Sequence, residues 1–146
     1  AITKSVATAG GIVLQFPFYA GIMGMMVKSG LAATFSNWFV SISTPQTFPF
    51  FTYLSAGLVN MFVPSGGGQW AVQGPIMMPA AKALGVSYAQ TASAIAWGDA
   101  WTNMLQPFWA LPLLAVAKLN IKDIMGYTTV ILLWAGLITS LGLLLI

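Results

Sequence analysis

The stretch NMFVPSGGGQW, residues 60–70, interrupts an uncharged run that extends over residues 49–81. A proline followed by Ser and three glycines continues a helix only at high energetic cost. The flanks, residues 48–63 and 69–83, are each roughly 15 residues or about 22–24 Å of helix. That is shorter than the ~30 Å hydrocarbon core of a bilayer. The pattern predicts a re-entrant helical hairpin that enters and leaves the membrane on one side, with irregular backbone at its tip.

The composition places this hairpin in a membrane protein. Hydrophobic residues make up 58% of the 146 residues and charged residues only 5%, and the mean hydropathy is +0.86. A soluble domain carries about 25% charged residues. The chain has no His and no Cys, which excludes Ser-His-Asp triads, thiol chemistry and the usual zinc sites. We therefore predict an all-α polytopic membrane protein, a single transmembrane domain over residues 1–146, that is not an enzyme and has no cofactor.

Two further stretches contain uncharged runs long enough to span a bilayer, and in the second the run follows Lys122 and Asp123. Residues 5–27 predict a spanning helix that Pro17 kinks, and residues 121–146 predict an ordinary final spanning helix. Between the first stretch and the hairpin, residues 31–42 alternate Ser and Asn with aromatic residues. Because Trp is favoured at the membrane–water boundary, we expect a short interfacial helix there.

The segment after the hairpin, residues 87–119, carries a single acidic residue, Asp99, near its middle. Gly98, a polar cluster and Pro107 interrupt an otherwise apolar helix. The pattern predicts two half-helices, at about residues 88–101 and 107–118, joined by a short unwound piece.

Asp99 is the first candidate functional residue, because a carboxylate deep in a bilayer normally faces a cavity, a partner or an ion. With local helix, Asp99, Thr102, Asn103 and Gln106 fall on one stripe. Such oxygen ligands suit a hard cation such as Na⁺, and the carboxylate could equally bind a proton. The structural alternative is that Asp99 caps the broken helix or bonds to the hairpin backbone.

The hairpin tip is the second candidate. The half-helix that begins at Gln69 has free N–H groups and a partial positive charge, which attract a carboxylate, and Ser65 and Gln69 add side-chain donors. Broken helices of secondary transporters place helix ends in this way. The alternative is a tight turn outside the membrane that joins two spanning helices.

Aromatic residues near both breaks could line a pocket for a small acyl chain, although such residues more often pack helices or anchor them at the interface. They are Phe62, Trp70, Trp97, Trp101, Phe108 and Trp109.

Two long motifs, NMFVPSGGGQWAVQGPIMMPAAKALGV (residues 60–86) and AIAWGDAWTNMLQPFWALPLLAVAKL (residues 94–119), closely resemble the bacterial short-chain fatty acid transporter family. That family is similar to the ion transporter superfamily, whose members have two inverted repeats, each with a hairpin and a discontinuous helix. By this resemblance the substrate would bind at Asn60, Pro64, Ser65, Gly66, Gly67, Gly68 and Gln69. The coupling ion or proton would bind at Gly98, Asp99, Thr102 and Asn103, with no metal other than Na⁺.

The resemblance implies secondary active transport of short-chain fatty acids, such as acetoacetate or butyrate, across the bacterial inner membrane with H⁺ or Na⁺ as coupling ion. We expect the chain to be the C-terminal repeat of a larger transporter. Its expected partners are the monocarboxylate substrate, the lipid bilayer and the N-terminal repeat, with a homodimer as a further option and no nucleic acid. A carrier of another organic anion such as a dicarboxylate, or a non-transporting scaffold subunit, are the alternatives.

Overall fold

The computed structural model describes residues 2–145, and over these residues all regular secondary structure is helical, as predicted. The side chains of residues 2–9, 11–12, 15–16, 107–108 and 112, which include the candidate Phe108, lie outside the described part. Seven α-helices and one 3₁₀ turn, Pro107–Ala110, occur in the described range. The α-helices are α1 (Ile2–Lys28), α2 (Leu31–Ser41), α3 (Phe48–Asn60), α4 (Gly66–Leu84), α5 (Tyr88–Thr102), α6 (Leu111–Ala117) and α7 (Ile121–Leu145).

Helices α3 and α4 form an antiparallel helical hairpin. Near the tip, the side-chain amide of Gln69 bonds to the Ala56 carbonyl at 2.8 Å, and near the open end Thr52 lies against Met77. The hairpin geometry thus agrees with the sequence prediction. Its entry into and exit from one side of a membrane stays a prediction.

The tip of the hairpin is shorter than predicted. The break covers only residues 61–65, and the three glycines form the first turn of α4 rather than an irregular loop. Ser65 explains the difference, because its backbone is extended and its Oγ accepts a hydrogen bond from the Gly68 N–H at 3.3 Å. A side-chain cap of this kind satisfies a first-turn donor and helps to offset the low helix propensity of Gly.

The other end of α4 has a defined stop. Gly85 has a φ of 71°, in the left-handed region, and the Val86 N–H bonds back to the Ala81 carbonyl at 2.9 Å. This is a Schellman motif, which requires a residue that tolerates positive φ. The chain therefore turns directly from α4 into α5.

The broken helix agrees with the prediction within a few residues. Helix α5 ends at Thr102, residues 103–106 form a turn and a loop position, and the 3₁₀ turn then leads into α6, which ends at Ala117. Helix α5 packs along α3, which also contacts α2, α4 and α7. The α3 helix is therefore the centre of the fold and has a largely buried surface.

One helix among the described residues, α7, is long and apolar enough to cross a membrane. Only 11% of its most apolar window is buried within the chain, so most of this apolar surface requires lipid or protein around it. Helix α1 contains the predicted stretch 5–27 and continues through Pro17, and α2 closely matches the predicted residues 31–42. The spanning role of α1 and the interfacial role of α2 stay predictions.

Candidate functional site

The ends of three helices meet at one junction. Asn60 is the last residue of α3, Gly66 is the first of α4, and Asp99 lies in the last turn of α5. The Asn60 side-chain amide donates to the Asp99 carbonyl at 2.9 Å. Asp99 Oδ2 lies 3.8 Å from the position that a Cβ on Gly66 would occupy. The structure thus brings the predicted hairpin tip and the predicted ion-binding residue together.

Asn60 holds the end of α5 against α3. Its side chain is completely buried, and its Nδ2 lies 3.0 Å from both Thr102 Oγ1 and Asn103 Oδ1. The Thr102 hydroxyl in turn donates to the Gly57 carbonyl at 2.9 Å. Three of the four residues on the predicted polar stripe, Asp99, Thr102 and Asn103, therefore surround Asn60. Gln106 is buried beyond the end of α5, because the helix stops at Thr102.

The Asp99 carboxylate has few hydrogen-bond partners. Its Oδ2 makes a long contact of 3.5 Å to Asn103 Nδ2, and its buried Oδ1 has no hydrogen-bond partner within residues 2–145. No group of three or more His, Cys, Asp or Glu occurs in the same range. A cation at this junction would therefore be held by one carboxylate and neutral oxygens.

The helix ends give the junction an uneven electrostatic field. The C-termini of α3 and α5 contribute partial negative charge, which favours a cation, whereas the N-terminus of α4 contributes partial positive charge, which favours an anion. Asp99 Oδ2 lies beside that N-terminus. The junction thus has helix ends that favour a cation close to a helix end that favours an anion.

The first turn of α4 is open on its outer side. Ser65, Gly66 and Gly67 are exposed, and a Cβ on Gly67 would meet no atom within 4 Å among the described residues. First-turn N–H groups have no acceptor within their own helix, and only the N–H of Gly68 is satisfied by the Ser65 cap. The N–H groups of Gly66 and Gly67 are the donors that an anion would meet, and Pro64, half-buried, precedes them.

Gln69 lies inside the hairpin rather than at its open tip. Its Nε2 donates to the Ala56 carbonyl and to Gln73 Oε1 at 2.9 Å, and the Gln73 amide donates to Ser36 Oγ and Ser55 Oγ at 3.2 and 3.0 Å. All four side chains are completely buried. Gln73, Ser36 and Ser55 were not among the residues predicted from the sequence. The one signal in the sequence was the i, i+4 spacing of Gln69 and Gln73 within an uncharged stretch.

Gly98 allows α5 to approach α3 closely. A Cβ at this position would overlap the Tyr53 carbonyl oxygen and lie 2.6 Å from the Ala56 Cβ. Small residues at helix crossings permit such backbone contact. The contacts of Gly98 are therefore packing contacts that position Asp99 and Thr102, the next two polar residues of α5.

Two of the aromatic candidates, Trp101 and Trp109, donate hydrogen bonds to backbone carbonyls. Trp101 stacks on Tyr53 with ring centroids 4.8 Å apart, and its Nε1 donates to the Leu132 carbonyl of α7 at 2.8 Å. Trp109 Nε1 donates to the Asn103 carbonyl at 2.6 Å across the break. Trp101 therefore packs helices together, and Trp109 satisfies a carbonyl that the broken helix leaves free.

The Ser65 cap makes a prediction about stability. We expect Ser65→Ala to lower the free energy of unfolding by about 1 kcal/mol, the usual loss when an N-cap side chain is removed. Ser87 provides the matched control, since it precedes α5 without a side-chain cap bond. Thermal unfolding of the purified full-length protein in detergent compares the two variants. Equal losses from Ser65→Ala and Ser87→Ala would contradict a capping role for Ser65.

Comparison with known proteins identifies the chain's relatives. The family model described as "Short chain fatty acid transporter" matches residues 1–146. The chain is similar to the "Putative short-chain fatty acid transporter" of Escherichia coli K12, at 49% identity over 143 residues, and to the protein of the same name in Haemophilus influenzae Rd, at 44%. Each alignment covers 98% of this chain and 32% of the relative, so the chain spans about a third of their length.

No solved structure matches the chain. The matched family is one of transporters rather than enzymes, in agreement with the prediction, and a transporter family implies a membrane protein. The family match over residues 1–146 and the names of the two relatives indicate the same family. It is also the family that the motifs at the hairpin tip and around Asp99 resemble. The chain therefore belongs to the short-chain fatty acid transporter family.

Proposed function

We propose that this chain is part of a secondary active transporter that carries short-chain fatty acids, such as acetoacetate or butyrate, across the bacterial inner membrane with H⁺ or Na⁺. The family and the names of the relatives support this substrate class. The observation that carries the mechanism is the position of the Asp99 carboxylate beside the first turn of α4. This position puts a cation-binding group next to an anion-binding helix end.

The substrate carboxylate binds at the first turn of α4 in this proposal. The N–H groups of Gly66 and Gly67, with the Ser65 hydroxyl, are the donors, and the open space beside Gly67 accommodates the acyl group. The only cation in α4 is Lys82, in its last turn, about 24 Å along the helix from Gly66. A second carboxylate would find no positive charge nearby on α4, which favours a monocarboxylate over a dicarboxylate.

Coupling follows from repulsion between two carboxylates. A substrate carboxylate about 4 Å from Asp99 would be destabilised by about 4 kcal/mol at an effective dielectric constant near 20. A proton or Na⁺ on Asp99 removes this repulsion. Substrate and coupling ion therefore bind more tightly together than either does alone.

The two longest helices, α1 with 27 residues and α7 with 25 residues, have the length that spanning helices need in the membrane arrangement that we propose. Helices α1 and α7 span the bilayer, α2 lies at its interface, and the α3–α4 hairpin is re-entrant with its tip facing the break after α5. This unit would be the C-terminal one of two inverted repeats, and the N-terminal repeat completes the site. Alternating access would move the hairpin-containing unit against a scaffold, either within one protein or in a homodimer.

Uptake by proteoliposomes tests this function. We expect the full-length transporter that contains this chain to accumulate labelled butyrate and acetoacetate above empty vesicles when a Na⁺ or proton gradient is imposed. Comparing the two gradients identifies the coupling ion. Accumulation of neither substrate would contradict the proposal, and faster uptake of succinate than of butyrate would favour a dicarboxylate carrier.

A further inference from the structure

Two grooves flank α6, the short helix that follows the break after α5. One has a volume of about 310 Å³, lies between α6 and the first turns of α7, and has an apolar lining that includes Leu113, Ala117 and Ile124. The other has a volume of about 660 Å³ and is lined by α6 on one side and by residues 120–123 on the other. Ligand sites in proteins usually measure about 300–1,000 Å³, so each groove has room for a small molecule or for part of a larger one.

The two grooves are neighbours along the same helix. Leu114 and Leu119 line both of them. These two residues are joined through the backbone, since the Leu119 N–H donates to the Leu114 carbonyl at 3.0 Å. A molecule with two parallel apolar chains would therefore place one chain on each side of these leucines.

The smaller groove has about the depth of one membrane leaflet. Helix α6 has seven residues and rises about 10 Å, and the four-residue 3₁₀ turn before it adds about 8 Å. The groove is lined from Trp109 in the 3₁₀ turn to Ala117 at the end of α6. One leaflet contributes about 15 Å of the ~30 Å hydrocarbon core, so the groove matches the length of a lipid acyl chain in that leaflet.

The larger groove carries charge at one end. Lys122 and Asp123, in the first turn of α7, line it together with apolar residues of α6. The uncharged run of α7, which is long enough to span a membrane, begins directly after Asp123. When α7 spans the bilayer, this charged end therefore lies at the level of the lipid headgroups.

Positive charge predominates at the turn between α6 and α7. Asp123 Oδ2 accepts a hydrogen bond from the Asn120 N–H at 2.8 Å, and a carboxylate in the first turn of a helix is stabilised by the helix dipole. Lys118 ends α6 and Lys122 follows in α7, so the turn has two lysines and one aspartate. The other acidic residue of the chain, Asp99, lies at the helix junction. The excess of positive charge favours an anionic ligand.

We propose that the grooves beside α6 bind one anionic phospholipid, such as phosphatidylglycerol, with its phosphate at Lys122 and one acyl chain in each groove. Lysines near a membrane surface attract anionic lipids, and the pair of grooves selects a lipid with two chains. The bound lipid holds α6, the second half of the broken helix, against α7. This site goes beyond the proposed transport function, because it needs no substrate and requires only that α7 spans the membrane.

Native mass spectrometry of the purified full-length transporter, without substrate, tests the site with phosphatidylglycerol and phosphatidylcholine of identical acyl chains. We expect the wild type to bind phosphatidylglycerol more tightly. Lys122→Gln should weaken this binding about fivefold, the factor that corresponds to about 1 kcal/mol for one lysine near a lipid headgroup. Lys82→Gln is the matched control, because Lys82 is also exposed but lies in the last turn of α4, and it should keep the affinity of the wild type.

A groove-filling variant tests the acyl chains separately from the headgroup. Ala117 is exposed and lines the smaller groove, so Ala117→Trp fills the groove without entering a packed core. It should weaken the binding of phosphatidylglycerol, whereas Ala83→Trp, at an exposed position of α4, should not. If Ala117→Trp does not fold, the two lipids and the two lysine variants still decide the question.

The possible results separate the lipid site from the transport function. Equal affinity of the wild type for the two lipids, or unchanged affinity in Lys122→Gln, overturns the headgroup site. Unchanged lipid binding in Ala117→Trp overturns the groove as an acyl-chain site, as expected if another part of the full-length transporter covers it. Uptake of butyrate is measured independently of lipid binding, so failure of one proposal leaves the other standing.

Discussion

Asp99→Asn is expected to abolish gradient-driven butyrate uptake by the full-length transporter while the protein still inserts into the membrane. The substitution keeps the shape of the side chain but removes its negative charge, so the coupling cation of the proposed mechanism would lose its only charged ligand among the described residues of the junction. Removing one partner of a buried charge pair typically destabilises it by about 3–5 kcal/mol, which corresponds to a loss of roughly 100-fold or more in ion affinity. Without the ion, uptake is no longer driven by its gradient.

Asp123→Asn supplies a matched control for this charge removal. Asp123 is the other acidic residue of the chain, is exposed, and accepts a hydrogen bond from the Asn120 N–H at 2.8 Å at the start of α7. Its loss should leave uptake close to that of the wild type. Both variants would be reconstituted at equal protein density, and initial rates of labelled butyrate uptake compared with and without the gradient. Unchanged coupled uptake by Asp99→Asn would remove Asp99 from the mechanism.

The helix breaks could be predicted from the sequence because they depend on local chemistry. Pro107 and the polar cluster before it mark the end of α5, and the structure ends that helix at Thr102. The position of the hairpin tip was predicted less accurately, because Gly propensity suggested a loop over residues 66–68. In the structure these three glycines are helical, and the Ser65 side chain caps that helix with a single hydrogen bond.

Residue types alone could not predict whether the junction presents hydrogen-bond donors or acceptors to a ligand. Asn and Gln each carry a donor and an acceptor, so the sequence alone does not show which group faces a ligand. That choice depends on partners from three other helices, namely Ser36 on α2, Ala56 on α3 and Thr102 on α5. Side chains more than 30 positions apart in sequence therefore decide whether Asn60 and Gln69 suit an anion or a cation.

Gly98 shows a related difference between sequence and structure. The family resemblance implies that Gly98 binds the coupling ion or proton together with Asp99. In the structure the backbone of Gly98 is instead covered by α3, and its missing side chain lets the Asn60 amide reach the Asp99 carbonyl. The glycine thus contributes to the site through helix packing.

Gly98→Ala is accordingly expected to destabilise the protein, although Ala is the better helix former by about 1 kcal/mol. The added methyl group would overlap the Tyr53 carbonyl oxygen and the Ala56 Cβ, and neither can move by a side-chain rotation. Helices α3 and α5 would have to separate, which weakens the bonds of Asn60 to α5. Overpacking of this kind costs about 1–3 kcal/mol or more, so we expect a lower melting temperature and a strong loss of coupled uptake.

Gly126→Ala in α7 is the matched control, because a Cβ there would meet no atom within 4 Å in the described part of the chain. The same substitution should leave stability unchanged or raise it slightly, since only helix propensity acts. Thermal unfolding and butyrate uptake of both variants, measured in the full-length protein, separate packing from propensity. If Gly98→Ala melts at the temperature of the wild type and retains uptake, α5 does not need its close approach to α3. The junction of Asn60, Gly66 and Asp99 would then be held by other contacts.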